Sequence, residues 1–250
     1  MAIYSNGQVG WKSGIVVPPI ITNGLIMHLE AGNPLSYTGS GTTWVDMSNN
    51  SRNGTLINGV GYSSSNGGVL TFDGVNDYVS LASMNSALVN KTSFTYDTWF
   101  KCNNTSTAAL KTLFSFGSNP NYSNDILFGV TSNTILMQVN NGADASSTFT
   151  FTSTGWNNLS IIYDGTQTGN ANRLKAYVNG VLMTVSFGSY IVPSSTSSVN
   201  QSNSAIGAYS TGPFDNFFNG NIASSKLYNR SLSESEVTQN FNATKSRFGL

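Results

Sequence analysis

SFTYDTWFK, residues 93–101, sends bulky side chains to both sides of one extended segment: Phe94, Tyr96 and Phe100 fall on one face and Trp99 on the other. A strand with large apolar groups on both faces needs cover on both, which places it inside a layered β structure. The neighbouring segments read the same way. GLIMHLEA (24–31) alternates Leu25, Met27 and Leu29 with Ile26, His28 and Glu30, the pattern of a half-buried strand. NLSIIYD (158–164) and LKAYVNGVLMTV (174–185) follow, the second divided by Asn179-Gly180, a pair that accepts positive φ at both centres of a type I′ turn. Turn signals recur every eight to twelve residues or so, a spacing that predicts a sandwich or barrel rather than βαβ units, and twenty-five glycines agree with it.

One helix is predicted near the end. Ser233 and Glu236 form a capping box, Leu232 and Val237 a hydrophobic staple, and Val237 and Phe241 stand at i, i+4, giving about two to three turns. Residues 1–23 read differently: Tyr4, Trp11 and IVVPPII are apolar, but glycine and paired prolines argue against regular pairing, so an extended arm is expected. The division is therefore an arm over 1–23 and one all-β domain over 24–250.

Composition narrows the function. Of 250 residues 39% are hydrophobic, enough for a core, and only 9% are charged, so Ser, Thr, Asn and Gly must carry the surface. Eleven Lys and Arg balance eleven Asp and Glu without a basic stripe, which argues against nucleic acid and anionic membrane as partners. Cys102 is the single cysteine and reads as a small buried hydrophobe. The N-terminus lacks the pattern of an export signal, and GIVVPPII is too short to span a bilayer. Asn-x-Ser/Thr triplets such as Asn53-Gly54-Thr55 then reflect composition rather than glycosylation.

Five segments in order, TFDGVNDYVSL (71–81), SFTYDTWFK (93–101), GWNNLSIIYDG (155–165), LKAYVNGVL (174–182) and FNGNIASSKLYNRSLSESEV (218–237), resemble the laminin-G-like (LamG) domains of the concanavalin A-like lectin/glucanase superfamily. The likeness runs from about Gly24 to Phe241. It implies a jelly-roll sandwich of two antiparallel sheets, one concave, with ligands at the rim or in the hollow, and leaves the activity open. The opening 24–56 is also similar to LamG-type virion proteins of tailed bacteriophages. That resemblance implies a virion protein made in the host cytoplasm, with residues 1–23 meeting other virion proteins.

Catalytic chemistry is poorly provided for. A glycoside hydrolase needs two facing carboxylates, and relatives supply them as Glu-x-Asp-x-x-Glu on one strand. The glutamates here are Glu30, Glu234 and Glu236; the last two belong to the helix, and Glu30 has no acidic neighbour within a strand's reach. His28 is the only histidine and no Gly-x-Ser-x-Gly elbow occurs, which argues against serine-triad chemistry; one His and one Cys are too few for an ordinary structural zinc site, and His28 suits a polar-face or satisfied strand residue. Asp73, Asn76 and Asp77 crowd one short loop. As an EF-hand this fails, with Tyr78 at position six and Met84 at position twelve. Where many relatives carry an acid pair after FNG, this chain reads Ile222-Ala223-Ser224-Ser225. A calcium ion at Asp73, Asn76 or Asp77 stays an alternative; an Asx-type turn is the favoured reading, and no metal or cofactor is expected.

Recognition remains. The loops GSNPNYSND (117–125) and GAYSTGPFDNFFNG (207–220) combine aromatics with Asn and Asp, a mixture that stacks on sugar rings and hydrogen-bonds hydroxyls. Tyr122, Asn124, Asp125, Tyr209 and Asp215 are the expected ligand-binding residues, with glycans as ligand. The competing reading has these aromatics plugging the sandwich ends or a neighbouring subunit, and it is preferred for Phe217 and Phe218; Trp44 and Trp156 read as core. The expectation is a non-enzymatic virion decoration protein displaying a lectin-like domain, with a free lectin module or a glycoside hydrolase as alternatives. A homo-oligomer stays open.

Overall fold

A computed structural model describes residues 18–84, 86–117, 125–141, 147–198, 203–209 and 214–250, and the backbone of Ile3–Ser5 and Gln8–Gly10. The strands in chain order are β1 (Ile3–Ser5), β2 (Gln8–Gly10), β3 (Leu25–Glu30), β4 (Thr43–Trp44), β5 (Gly54–Ile57), β6 (Gly61–Ser63), β7 (Val69–Asp73), β8 (Tyr78–Ser80) and β9 (Ser93–Cys102). They continue with β10 (Lys111–Phe116), β11 (Asp125–Thr131), β12 (Thr134–Asn141), β13 (Ser147–Thr150), β14 (Trp156–Asp164), β15 (Leu174–Val178), β16 (Val181–Leu182), β17 (Ser204–Ile206) and β18 (Asn219–Tyr228). Two helices, α1 (Asn170–Arg173) and α2 (Glu234–Thr244), complete the set, and a 3-10 turn, Lys245–Phe248, prolongs α2.

Strands β3 to β18 form two antiparallel sheets, while β1 and β2 pair apart from them. The first runs β16-β15-β14-β9-β18-β7-β6, with β3 also paired to β18; the second runs β13-β12-β11-β10-β17-β8-β5-β4. Phe94, Tyr96 and Phe100 of β9 point between the sheets, where Tyr96 stacks on Phe114 of β10 at 4.5 Å and Phe94 meets Phe128 of β11 at 6.4 Å. This is a sandwich, as the alternation and turn spacing allow, in the jelly-roll form that the LamG resemblance implies. Burying rings of this size stabilises the fold by about 1.5–3 kcal/mol each before packing geometry is counted.

Trp99 faces the other way and is covered by the C-terminal segment. Phe248 stacks on it at 4.1 Å, Phe241 lies at 5.8 Å, and its indole N–H donates to Thr244 Oγ1 at 2.8 Å. Helix α2 starts as the sequence predicts: Ser233 Oγ accepts from the Glu236 N–H, and the Glu236 carboxylate accepts from the Ser233 N–H. Glu236 also takes two hydrogen bonds from Arg230, at 2.8 and 2.6 Å, and that guanidinium holds its carboxyl down at about 2. The turn at Asn179-Gly180 has φ of 52° and 77°, as type I′ requires.

Three details depart from expectation. Met27 and Leu29 enter the main core, but Leu25 joins Ile162, Tyr177 and Tyr228 on the outer side, because the β3–β18 register shifts between Leu227 and Tyr228. His28, expected as a polar-face or satisfied strand residue, is buried with its Nε2 unpartnered. Finally, β1 and β2 pair with each other, so the first residues are not wholly without regular pairing; Asn6-Gly7 separates them in sequence, a composition that favours a hairpin. The last residues before β3 lie against α2: Asn240 Oδ1 accepts from the Ile21 N–H at 2.8 Å, Tyr228 Oη donates to Ile21 O at 3.0 Å, and Gln239 Nε2 donates to Pro19 O at 2.7 Å.

Candidate functional site

With α2 over the first sheet, the outer face of the second carries the candidate site. Register aligns one row across six of its strands: Thr55, Ser80, Ala205, Ser115, Leu127 and Gln138. Their neighbours Val79, Ile206, Phe114 and Phe128 point into the core, so the row faces outward. Four of the six are small, which makes the row a trough. Residues 207–209 roof its middle, where Ser115 Oγ donates to Ala208 O at 2.8 Å. Ala205, Ser115, Leu127 and Gln138 are buried, and only toward β8 and β5 does the row open, with Ser80 half-buried and Thr55 exposed.

Beside this opening stands an aromatic group. Tyr78, on the outward side of β8, stacks on Phe214 at 4.2 Å and meets Phe217 at 6.4 Å, all three rings half-buried. Phe218, next in sequence, turns inward against Phe72 and Phe100 and is core. The loop is tied down by the Phe218 N–H donating to Gly207 O and the Thr112 N–H donating to Asn216 O. Gly207 has φ of 85°, a conformation that glycine adopts without strain and that turns the chain back across the sheet.

At the roofed side Tyr209 Oη donates to Asp125 Oδ2 at 2.5 Å. Asp125 is only 1% exposed, its Oδ1 has no hydrogen-bond partner, and burial raises its carboxyl above the ordinary range while the Tyr209 hydroxyl pulls it partly back. The carboxylate packs directly against Gly117, which only glycine permits: a Cβ there would lie 2.2 Å from Oδ1. Tyr209 and Asp215 exchange backbone hydrogen bonds at 2.8 and 3.1 Å, with the Asp215 side chain exposed. Thus Asp125, Tyr209 and Asp215 are brought together as the sequence suggests, though Asp125 is a buried anchor rather than a rim contact. Tyr122 and Asn124 lie outside the described residues. Sequence reading missed Tyr78; the signal was there, since Val79 as a core residue forces Tyr78 outward.

The Asp73 loop is a turn. Asp73 Oδ1 accepts from the Val75 N–H at 2.8 Å and the Asn76 N–H at 3.4 Å, and Asp77 Oδ2 accepts from the Asp73 N–H at 3.2 Å. Among the described residues no three His, Cys, Asp or Glu side chains gather as a metal site. Glu30 is bound to Arg247 at 2.6 Å.

A sequence model of the concanavalin A-like lectin/glucanase superfamily, of laminin-G type, matches residues 72–238, about two thirds of the chain. The chain belongs to that superfamily. Similar solved structures agree on the fold. Domain 4 of AbnA, an extracellular arabinanase of Geobacillus stearothermophilus solved with arabinotriose, is 19% identical with a TM-score of 0.60, over 86% of this chain and 97% of that domain. A botulinum neurotoxin type C structure, whose study ties cell entry to two ganglioside molecules, is 16% identical with a TM-score of 0.63, over 90% of this chain and 52% of the other. Trypanosoma rangeli sialidase with the inhibitor DANA is 15% identical with a TM-score of 0.61, over 90% of this chain and 35% of the sialidase. The chain thus spans about half of the toxin chain and a third of the sialidase. No protein with a curated description matches the sequence.

Proposed function

We propose that the protein is a non-enzymatic, lectin-like component of a tailed-phage particle, anchored through residues 1–23 and presenting the outer face of its second sheet to glycans. The observation that carries recognition is the half-exposed Tyr78–Phe214–Phe217 group bordering a trough of Thr, Ser and Ala side chains. Aromatic faces take the apolar side of a sugar ring, and hydroxyls and amides take its edges. The particle role is supported by the phage-like opening 24–56 and the apolar composition of the first residues. Against catalysis stand the engagements of the glutamates: Glu30 with Arg247, Glu236 with Arg230, and Glu234 in the first turn of α2.

Two measurements test the two halves. A glycan array with the full chain should give hits that Tyr78→Ala and Tyr209→Ala reduce at least about tenfold, the scale expected when a stacking or anchoring group is removed from a recognition site; no hits would refute recognition. Particles assembled with a chain lacking residues 1–17 should not incorporate it, and unchanged incorporation would refute the anchor and favour a free lectin module.

A further inference from the structure

The charge of the trough sets which glycans it can take. We propose, resting on the glycan-recognition reading above, that this face selects uncharged glycans and rejects those bearing carboxylate or sulfate. Three observations point there. The row Thr55, Ser80, Ala205, Ser115, Leu127, Gln138 contains no basic side chain. The acidic groups at its roofed side are two carboxylates: Asp125, buried with Oδ1 unpartnered, and Asp215, exposed and joined to Tyr209 through the backbone. Of the protein's described cations, Lys226 pairs with Asp97, Arg230 with Glu236 and Arg247 with Glu30, Arg52 and Arg173 donate to backbone carbonyls, Lys111 of β10 donates to Thr107 Oγ1, and Lys245 lies over the Phe241 ring.

A sugar hydroxyl can donate to the exposed Asp215 carboxylate, which a second carboxylate cannot. An anionic sugar would place a like charge beside Asp125 and Asp215, where partial burial weakens solvent screening. A neutral sugar meets no such penalty. An amino sugar in its ammonium form meets the opposite, an attraction, and belongs with the accepted ligands.

The test uses the full chain against matched pairs on a glycan array: neutral galactose- and N-acetylglucosamine-terminated glycans, and the same glycans capped with sialic acid or sulfated. Neutral members should bind, and their anionic counterparts at least about tenfold more weakly, equivalent to about 1.4 kcal/mol. Raising the salt toward 1 M, where the screening length falls to about 3 Å, should narrow that gap, as should Asp215→Asn at an exposed position. Anionic glycans bound as well as their neutral partners, or a gap that neither salt nor Asp215→Asn alters, would overturn the selectivity while leaving recognition standing. Absence of binding to every glycan would overturn recognition, and the selectivity with it.

Discussion

Replacing Lys226 by methionine tests whether the C-terminal segment seals the outer face of the first sheet. Lys226 and Asp97 are each 1% exposed, and Nζ donates to Asp97 Oδ1 at 3.0 Å. The other oxygen of Asp97 accepts from Ser160 Oγ at 2.6 Å and Asn158 Nδ2 at 3.1 Å. The gross attraction at that separation is about 5 kcal/mol with an effective dielectric near 20, but desolvation of both charges offsets most of it. What the single substitution exposes is the cost of a carboxylate left buried with two neutral donors, about 3–5 kcal/mol. For a chain of this length that lowers the melting temperature by about 6–20 °C. Asp97→Asn, leaving an ammonium unpaired, should cost a similar amount. The double variant Lys226→Met with Asp97→Asn removes both charges and keeps a side chain that can accept from Ser160, so it should be better than the sum of the singles by about 2 kcal/mol or more. Urea unfolding followed by tryptophan fluorescence and far-UV circular dichroism measures all three. A Lys226→Met protein within about 1 kcal/mol of the parent would mean that water reaches the pair, and the sealed outer face would be wrong.

Acid should destabilise the fold through His28, whose pKa burial, helped by the Lys226 ammonium, lowers from 6.5 to about 4. As pH falls the unfolded chain takes the proton first, so stability is level above pH 6.5 and drops by about 3 kcal/mol by pH 4; an unchanged slope in His28→Gln would show another group responsible. A chain beginning at Gly24 should be about 2–4 kcal/mol less stable than one beginning at Pro18, because it loses the three hydrogen bonds from Pro19 and Ile21 to α2 and β18 and the partial burial of Ile21; equal urea midpoints would contradict this. Tyr209→Phe removes the donor on Asp125 and should cost about 1–3 kcal/mol at neutral pH and less in acid, where Asp125 is protonated. Gly117→Ala, whose Cβ would fall on Asp125 Oδ1, should disturb the same site, and a wild-type melting temperature would show that the carboxylate can move aside.

Layering was legible because period two survives burial. Trp99 opposite Phe94, Tyr96 and Phe100 demands cover on both faces, and the helix supplying it carries its own signals at Ser233, Glu236, Leu232 and Val237. The turn at Asn179-Gly180 was legible because only a few residues accept positive φ twice in succession. Errors arose where ladders shift: Leu25 reads as a partner of Met27 until the irregularity at Leu227/Tyr228 sends it outward, and alternation carries no mark of a bulge. His28 was read as polar-facing by the same parity; what parity could not state is that this face, too, is buried.

The candidate site was harder to read for a reason of geometry. Thr55, Ser80, Ala205, Ser115, Leu127 and Gln138 come from six strands, and each alone is an unremarked outward residue; only the cross-strand register turns them into one trough. Loop aromatics drew notice because they break the polar composition around them, which is how Tyr209 and Phe214 were found and Tyr78, hidden in a strand, was not. The two outer faces then divide the work of the fold. One carries Trp99, Lys226 and Asp97 beneath the C-terminal helix; the other is roofed at Ser115 by residues 207–209, buried at Ala205, Leu127 and Gln138, and open only at Ser80 and Thr55. The open end at Ser80 and Thr55, which folding leaves wet, is free to exchange water for ligand hydroxyls, and the half-exposed aromatic rings stand beside it.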